Sequence, residues 1–169
     1  MNNNKKYKGY EKYYIAYGSN MNLEQMDWRC PNSEVVGIGY LKGWKLVFNC
    51  HADIIPTGND NDVLPVLIWK IEPKEWKTLD RYEGFPTYYI RESVEFFFLD
   101  GTSDIGTVYV MAEDCKGLCP PSDYYFDALI DACRENGIDD DYMFDALIES
   151  CYNKTKYNQY NKRKRSDTA

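Results

Sequence analysis

Two short segments, Tyr17-Gly18-Ser19-Asn20-Met21 and Leu79-Asp80-Arg81-Tyr82-Glu83-Gly84, hold the residue types and spacing best suited to chemistry. In the first, Gly18 lets the chain bend so that the N–H groups of Ser19, Asn20 and Met21 converge. A helix starting just beyond adds positive potential, which suits an anion. The second offers one carboxylate, Glu83, beside a glycine that ends a helix. Each segment alone is commonplace, because glycine turns often follow strands and glutamates at helix ends are usually solvated. Read together, they describe a pocket with an anion grip and a single general base.

Other chemistries lack their residues. His51 is the single histidine, no G-x-S-x-G elbow occurs, and a lone histidine near a strand end reads as structural. Cys115 and Cys119 lie four apart with no second pair at finger spacing, so no metal is expected. Gly37 and Gly39 fall inside a strand-like run and no G-x-x-x-x-G-K-[ST] is present, which excludes a phosphate loop. Ser19 has no base at a telling spacing and reads as a turn hydroxyl.

The chain of 169 residues, 44% apolar and 16% aromatic, is long enough for one domain with a real core. No run approaches the roughly 18 apolar residues of a membrane span. Met1 to Lys6 lacks the apolar centre of a secretory signal, so a cytoplasmic address is expected. In that reducing compartment the six cysteines are expected as free thiols. The net charge of −7 divides into near +5 over residues 152–169 and near −12 over the rest. An acidic body is a poor partner for nucleic acid, and the run Lys162-Arg163-Lys164-Arg165 reads as a solvated terminus.

These segments need a scaffold. Tyr13 to Tyr17 reads as a first strand, and Asn22 as the cap of a short helix through Trp28. Glu34–Leu41 and Trp44–Cys50 read as strands joined in a hairpin at Lys42-Gly43, followed by a loop over Asp53–Asp62. Val63–Ile71 is a strand weakened at its start by Pro65, which suits an edge or first-residue position, and Pro73 opens a helix with Trp76, Leu79 and Tyr82 facing the core. Tyr88–Leu99 and Ile105–Met111 make a last strand pair. Ser122 caps a helix ending at Gly137, and Asp139 caps another running to about Cys151. The pattern is α+β, with about six strands in a mixed, barrel-like sheet surrounded by helices. Residues 1–11 are expected as a flexible N-terminus, 12–151 as the domain and 152–169 as a basic, disordered tail.

The two segments, with Arg29-Cys30-Pro31, Trp69-Lys70-Ile71, Phe85-Pro86, Tyr88-Tyr89 and Pro120-Pro121-Ser122-Asp123-Tyr124-Tyr125, resemble the gamma-glutamylcyclotransferase family, and its small bacterial-type members in particular. The resemblance runs from Tyr14 to about Ser150. It implies a six-stranded barrel with a pocket at one end, in which Tyr17, Gly18, Ser19, Asn20 and Met21 bind the gamma-glutamyl group. It further implies that Glu83 is the acid/base, that Tyr125 closes the pocket, and that no cofactor is needed. Met21 stands where the family usually has leucine, and Leu64-Pro65 where many members have an aromatic-glycine pair. The implied reaction releases 5-oxoproline and a free amine or amino acid, glutathione metabolism being one setting. Deprotection of a gamma-glutamylated biosynthetic intermediate is an alternative, as is a non-catalytic module that binds a small carboxylate. Partners are expected to be small gamma-glutamyl molecules, with neither nucleic acid nor membrane. Pairing into a homodimer is compatible with the aromatic content.

Overall fold

The computed structural model describes residues 12–117 and 119–166; the segment 1–11 expected to be flexible lies outside the described residues. The strands are β1 (Tyr13–Ala16), β2 (Glu34–Lys42), β3 (Trp44–Asn49), β4 (His51–Pro56), β5 (Val63–Lys70), β6 (Tyr89–Phe98) and β7 (Ser103–Met111). Five of them close a barrel in the order β1-β5-β2-β6-β7, while β3 and β4 form a separate two-stranded sheet. The β1–β7 seam is parallel and the other barrel pairings are antiparallel, so the sheet is mixed. The α+β, barrel-like class agrees with the sequence, but the barrel has five strands rather than six.

The strand count differs for two physical reasons. Asp53 belongs to a strand, because Ala52, Asp53 and Ile54 are buried; the Pro/Gly/Asn density that signals a loop begins only at Pro56. Lys42-Gly43 does not make a hairpin. Gly43, at φ +74°, turns the chain out of the barrel, so that β2 pairs with β5 and β6 while β3 pairs with β4. Pro65 sits within the barrel rather than on an open edge. It costs no ladder bond on the β1 side, because β1 pairs only with Leu67 to Lys70.

The core fills the barrel and the space beneath its helices. Val66 to Trp69 and Gly106 to Met111 are buried without a break, as expected for strands covered on both faces. Packing is tight enough that a Cβ on Gly39 would come within 2.6 Å of Ile68 Cδ1 and of the Phe97 carbonyl. Helix α1 (Leu23–Arg29) is capped by Asn22, whose Oδ1 accepts from the Gln25 N–H at 2.8 Å. Helix α2 is Trp76–Glu83, and α3 (Asp123–Glu135) is capped by Ser122 Oγ at 3.2 Å from the Tyr125 N–H.

Helix α4 runs over Asp141–Ser166, past the Cys151 at which the sequence pattern ends it. Residues 152–166 contain neither glycine nor proline to stop it, so this part of the basic segment continues the helix backbone. Among the described residues no helix is long and apolar enough to cross a membrane.

Two of the cysteines depart from the free-thiol expectation. Cys50 and Cys119 form a disulfide, with Cα atoms 4.6 Å apart, whereas Cys30, Cys115, Cys133 and Cys151 are free. The compartment argument does not see the backbone here. The Cys50 N–H donates to the Cys119 carbonyl at 2.7 Å, and Cys119 lies in a parallel bridge with Asn49.

Candidate active site

Glu83 owes its position to the helical period. At about 100° per residue, Trp76, Leu79, Asp80 and Glu83 share one face of α2, and Tyr82 falls outside it. Trp76 and Leu79 are fully buried, whereas Tyr82 is 58% exposed, contrary to the expectation that it faces the core. Asp80 anchors that face to the barrel. It accepts the Tyr109 hydroxyl at 2.7 Å and pairs with Arg91 Nε at 3.3 Å, and Tyr109 and Arg91 are opposite one another in the β6–β7 register. The helix stops directly after Glu83. Gly84 adopts the left-handed conformation at φ +65°, with its N–H on the Arg81 carbonyl and the Phe85 N–H on the Asp80 carbonyl.

The first loop leaves β1 through Tyr17 and Gly18 into a 3-10 turn, Ser19–Met21. Gly18 has φ −124°, which any residue adopts, so what glycine contributes there is open space in the cleft. A Cβ at this position would lie 3.4 Å from Ala52 Cβ and 3.8 Å from the Tyr125 hydroxyl. Asn20 is buried and held on every side. Its carbonyl accepts from Trp69 Nε1 at 3.0 Å, and its Nδ2 donates to the Tyr14 hydroxyl at 2.8 Å and to Glu83 Oε1 at 2.5 Å. Its Oδ1 accepts from Arg29 Nη1.

A single cleft joins these groups, lined by Tyr14, Tyr17, Gly18, Ser19, Asn20, Ala52, Glu83, Tyr89, Tyr109 and Tyr125. Strand β4 sets the wall opposite Glu83's helix. The Ala52 N–H donates to the Tyr125 hydroxyl at 3.3 Å, and the Ala52 carbonyl accepts from the Tyr89 hydroxyl at 2.6 Å. Burial pushes the Glu83 carboxyl up to about 7, against the opposing pull of Arg29 and of the Asn20 hydrogen bond. Burial also raises the phenols, Tyr125 to about 12 and Tyr14, Tyr17, Tyr89 and Tyr109 well above their ordinary range. Glu83 is therefore the lining group poised to exchange a proton near neutral pH.

Tyr17, Gly18, Ser19, Asn20, Glu83 and Tyr125, the residues singled out in the sequence, all line this cleft. Met21 does not. Its side chain is fully buried in the core and its N–H is taken by the Gly18 carbonyl at 2.9 Å. Among the described residues no hydrogen-bond partner takes the N–H of Ser19 or Asn20. His51 stays outside the lining and shares a 2.7 Å hydrogen bond between its Nδ1 and the Tyr88 hydroxyl. Sequence reasoning missed Tyr14, Ala52, Tyr89 and Tyr109. They reach the cleft from β1, β4, β6 and β7, through pairings and packing between segments far apart in the chain.

The family model described as gamma-glutamyl cyclotransferase, AIG2-like, matches residues 14–126. A Methanocaldococcus jannaschii protein provisionally named a gamma-glutamylcyclotransferase is 27% identical over 120 residues, covering 67% of this chain and 95% of that protein. A solved structure named gamma-glutamyl cyclotransferase matches with a TM-score of 0.70 at 24% identity, over 79% of this chain and 85% of that one. A yeast gamma-glutamyl cyclotransferase specific to glutathione matches with a TM-score of 0.57 at 12% identity, over 82% of this chain and 94% of that one. The two structural likenesses establish the shared fold.

Proposed function

The chain belongs to the gamma-glutamyl cyclotransferase, AIG2-like family, and on that premise we propose that it cyclises the gamma-glutamyl group of a small amide, releasing 5-oxoproline and a free amine or amino acid. The observation that carries this reading is the buried Glu83 carboxyl, raised to about 7, facing a cleft shared with the Ser19–Asn20 turn.

A gamma-glutamyl amide contains its own nucleophile, because the alpha-amine can close a five-membered ring on the amide carbonyl. The protein has to fold the substrate and move protons. The Ser19 and Asn20 N–H groups grip the alpha-carboxylate, and holding the chain in an attack geometry lowers the barrier by about 7–11 kcal/mol in favourable intramolecular cases. Glu83 takes a proton from the alpha-ammonium, the nitrogen attacks, and the tetrahedral carbon collapses with breakage of the amide C–N bond. The ammonium loses two protons in becoming the lactam N–H. The departing nitrogen gains one on cleavage and a second as it becomes an ammonium, so Glu83 hands protons on without net consumption.

The test is 5-oxoproline release, followed by mass spectrometry, from a panel of gamma-glutamyl amino acids, gamma-glutamyl amines and glutathione. Release from at least one member is expected. No release from any member by folded protein would contradict the reading.

A further inference from the structure

Arg29, the last residue of α1, touches the proposed base only through Asn20. We propose that Arg29 is a positioning residue that fixes the Asn20 side-chain amide, so that Nδ2 faces Glu83 Oε1 and the second carboxylate oxygen becomes the one that exchanges protons. The inference rests on Glu83 being the acid/base.

The argument begins with what each group can do. A guanidinium only donates, so the Asn20 atom facing Arg29 must be the oxygen Oδ1. That forces Nδ2 towards Glu83 and Tyr14 and uses both of its hydrogens. An N–H donor on Oε1 favours the ionised carboxylate and blocks protonation at that oxygen. Among the described residues Arg29 is the donor to Oδ1, and without it the amide can turn over. Its oxygen would then face Glu83 and favour the protonated acid, the state unable to take up a proton.

Arg29 is itself supported. Its guanidinium lies over the Tyr82 ring, 4.7 Å from the centroid, and Tyr82 directly precedes Glu83 on α2. This contact accounts for a large aromatic side chain kept at the surface beside the site.

The charge around Glu83 leaves Arg29 as the group whose removal would move it. From its own helix Asp80 faces Glu83, but Asp80 is engaged by Arg91 and Tyr109. From β1 and the loop after it, and from β6, β7 and α3, the facing groups are Tyr14 and Tyr17, Tyr89, Tyr109 and Tyr125, all phenols held neutral by burial. Arg29 is the positive group acting on Glu83. Losing its charge and losing the amide orientation both push Glu83 towards the protonated form.

The test is a pH titration of the Glu83 carboxyl carbon by 13C NMR, its resonance assigned by its absence in Glu83→Gln, alongside the pH profile of kcat/KM. In Arg29→Met the midpoint should rise by about one unit, the low end for loss of a nearby opposite charge. The acid limb of the profile should rise with it, and Arg29→Lys should recover at least half of the shift. A merely structural role would lower the rate at every pH without moving the midpoint, and an unmoved midpoint in folded Arg29→Met overturns the inference. If Arg29→Met does not fold, Tyr82→Ala decides, since Tyr82 is exposed. A smaller upward shift supports the inference and no shift overturns it. A wild type that releases no 5-oxoproline would refute the proposed activity, while the NMR midpoints would still decide the role of Arg29.

Discussion

The Tyr109 hydroxyl of β7 donates to the Asp80 carboxylate of α2 at 2.7 Å, tying the helix that carries Glu83 to the barrel wall. Asp80 also pairs with Arg91, and both side chains are largely buried, at 16% and 11% exposure. Asp80→Asn would remove the carboxylate charge that Arg91 faces in a dry setting. We expect a loss of about 3–5 kcal/mol in urea denaturation, against about 1 kcal/mol for Tyr109→Phe. Equal small losses in both variants would show that the ion pair does not anchor α2.

The raised Glu83 carboxyl makes a signed prediction about pH. Its folded pKa, about 7, lies above the ordinary carboxylate value, so between roughly pH 4 and 7 the folded protein holds a proton that the unfolded chain has released. This group therefore lowers stability as pH rises through that window, by on the order of 3 kcal/mol in full. Glu83→Gln should remove that slope and be the more stable protein above pH 7. Wild type and variant showing parallel stability curves from pH 4 to 8 would contradict the buried, raised carboxyl. In the same range kcat/KM should climb with pH as Glu83 ionises.

Room at Gly18 sets the third prediction. A methyl there makes only ordinary contact with Ala52 and the Tyr125 hydroxyl, so Gly18→Ala should fold normally. It should also narrow the cleft where the glutamyl group lies, raising KM about tenfold, equivalent to about 1.4 kcal/mol of binding. Unchanged KM with unchanged melting temperature would place the substrate elsewhere.

The Cys50–Cys119 disulfide joins the start of β4 to the segment leading into α3, and so holds Ala52 near Tyr125. Its loop is long, with a sequence separation of 69, and its removal by Cys119→Ala should cost about 2–4 kcal/mol. Thiol titration of denatured, unreduced protein should find four thiols. Six would contradict the disulfide.

What the sequence revealed of the site was local. Asn22, Ser122 and Gly84 mark helix ends through backbone hydrogen-bonding rules that act over a few residues, and all three lie where those rules put them. The position of Glu83 at the helix end is legible in the same way, but its candidacy as the base came from reading the two segments together and from the family resemblance. Long-range pairing was not legible. Nothing in Lys42-Gly43 says that β2 prefers β5 and β6 to β3, and nothing in Cys50 or Cys119 says that the chain brings them together. Tyr82 was misplaced because a step of three drifts about 60° per repeat on a 3.6-residue helix, so the true stripe passes through Asp80 and Glu83.

The most direct test of the account is turnover by Glu83→Gln compared with wild type, on whichever gamma-glutamyl substrate the wild type converts, with 5-oxoproline binding followed by calorimetry. The account predicts that turnover falls by at least about a hundredfold, the low end for loss of a proton-transfer group, while binding persists. Turnover near the wild-type value would contradict it.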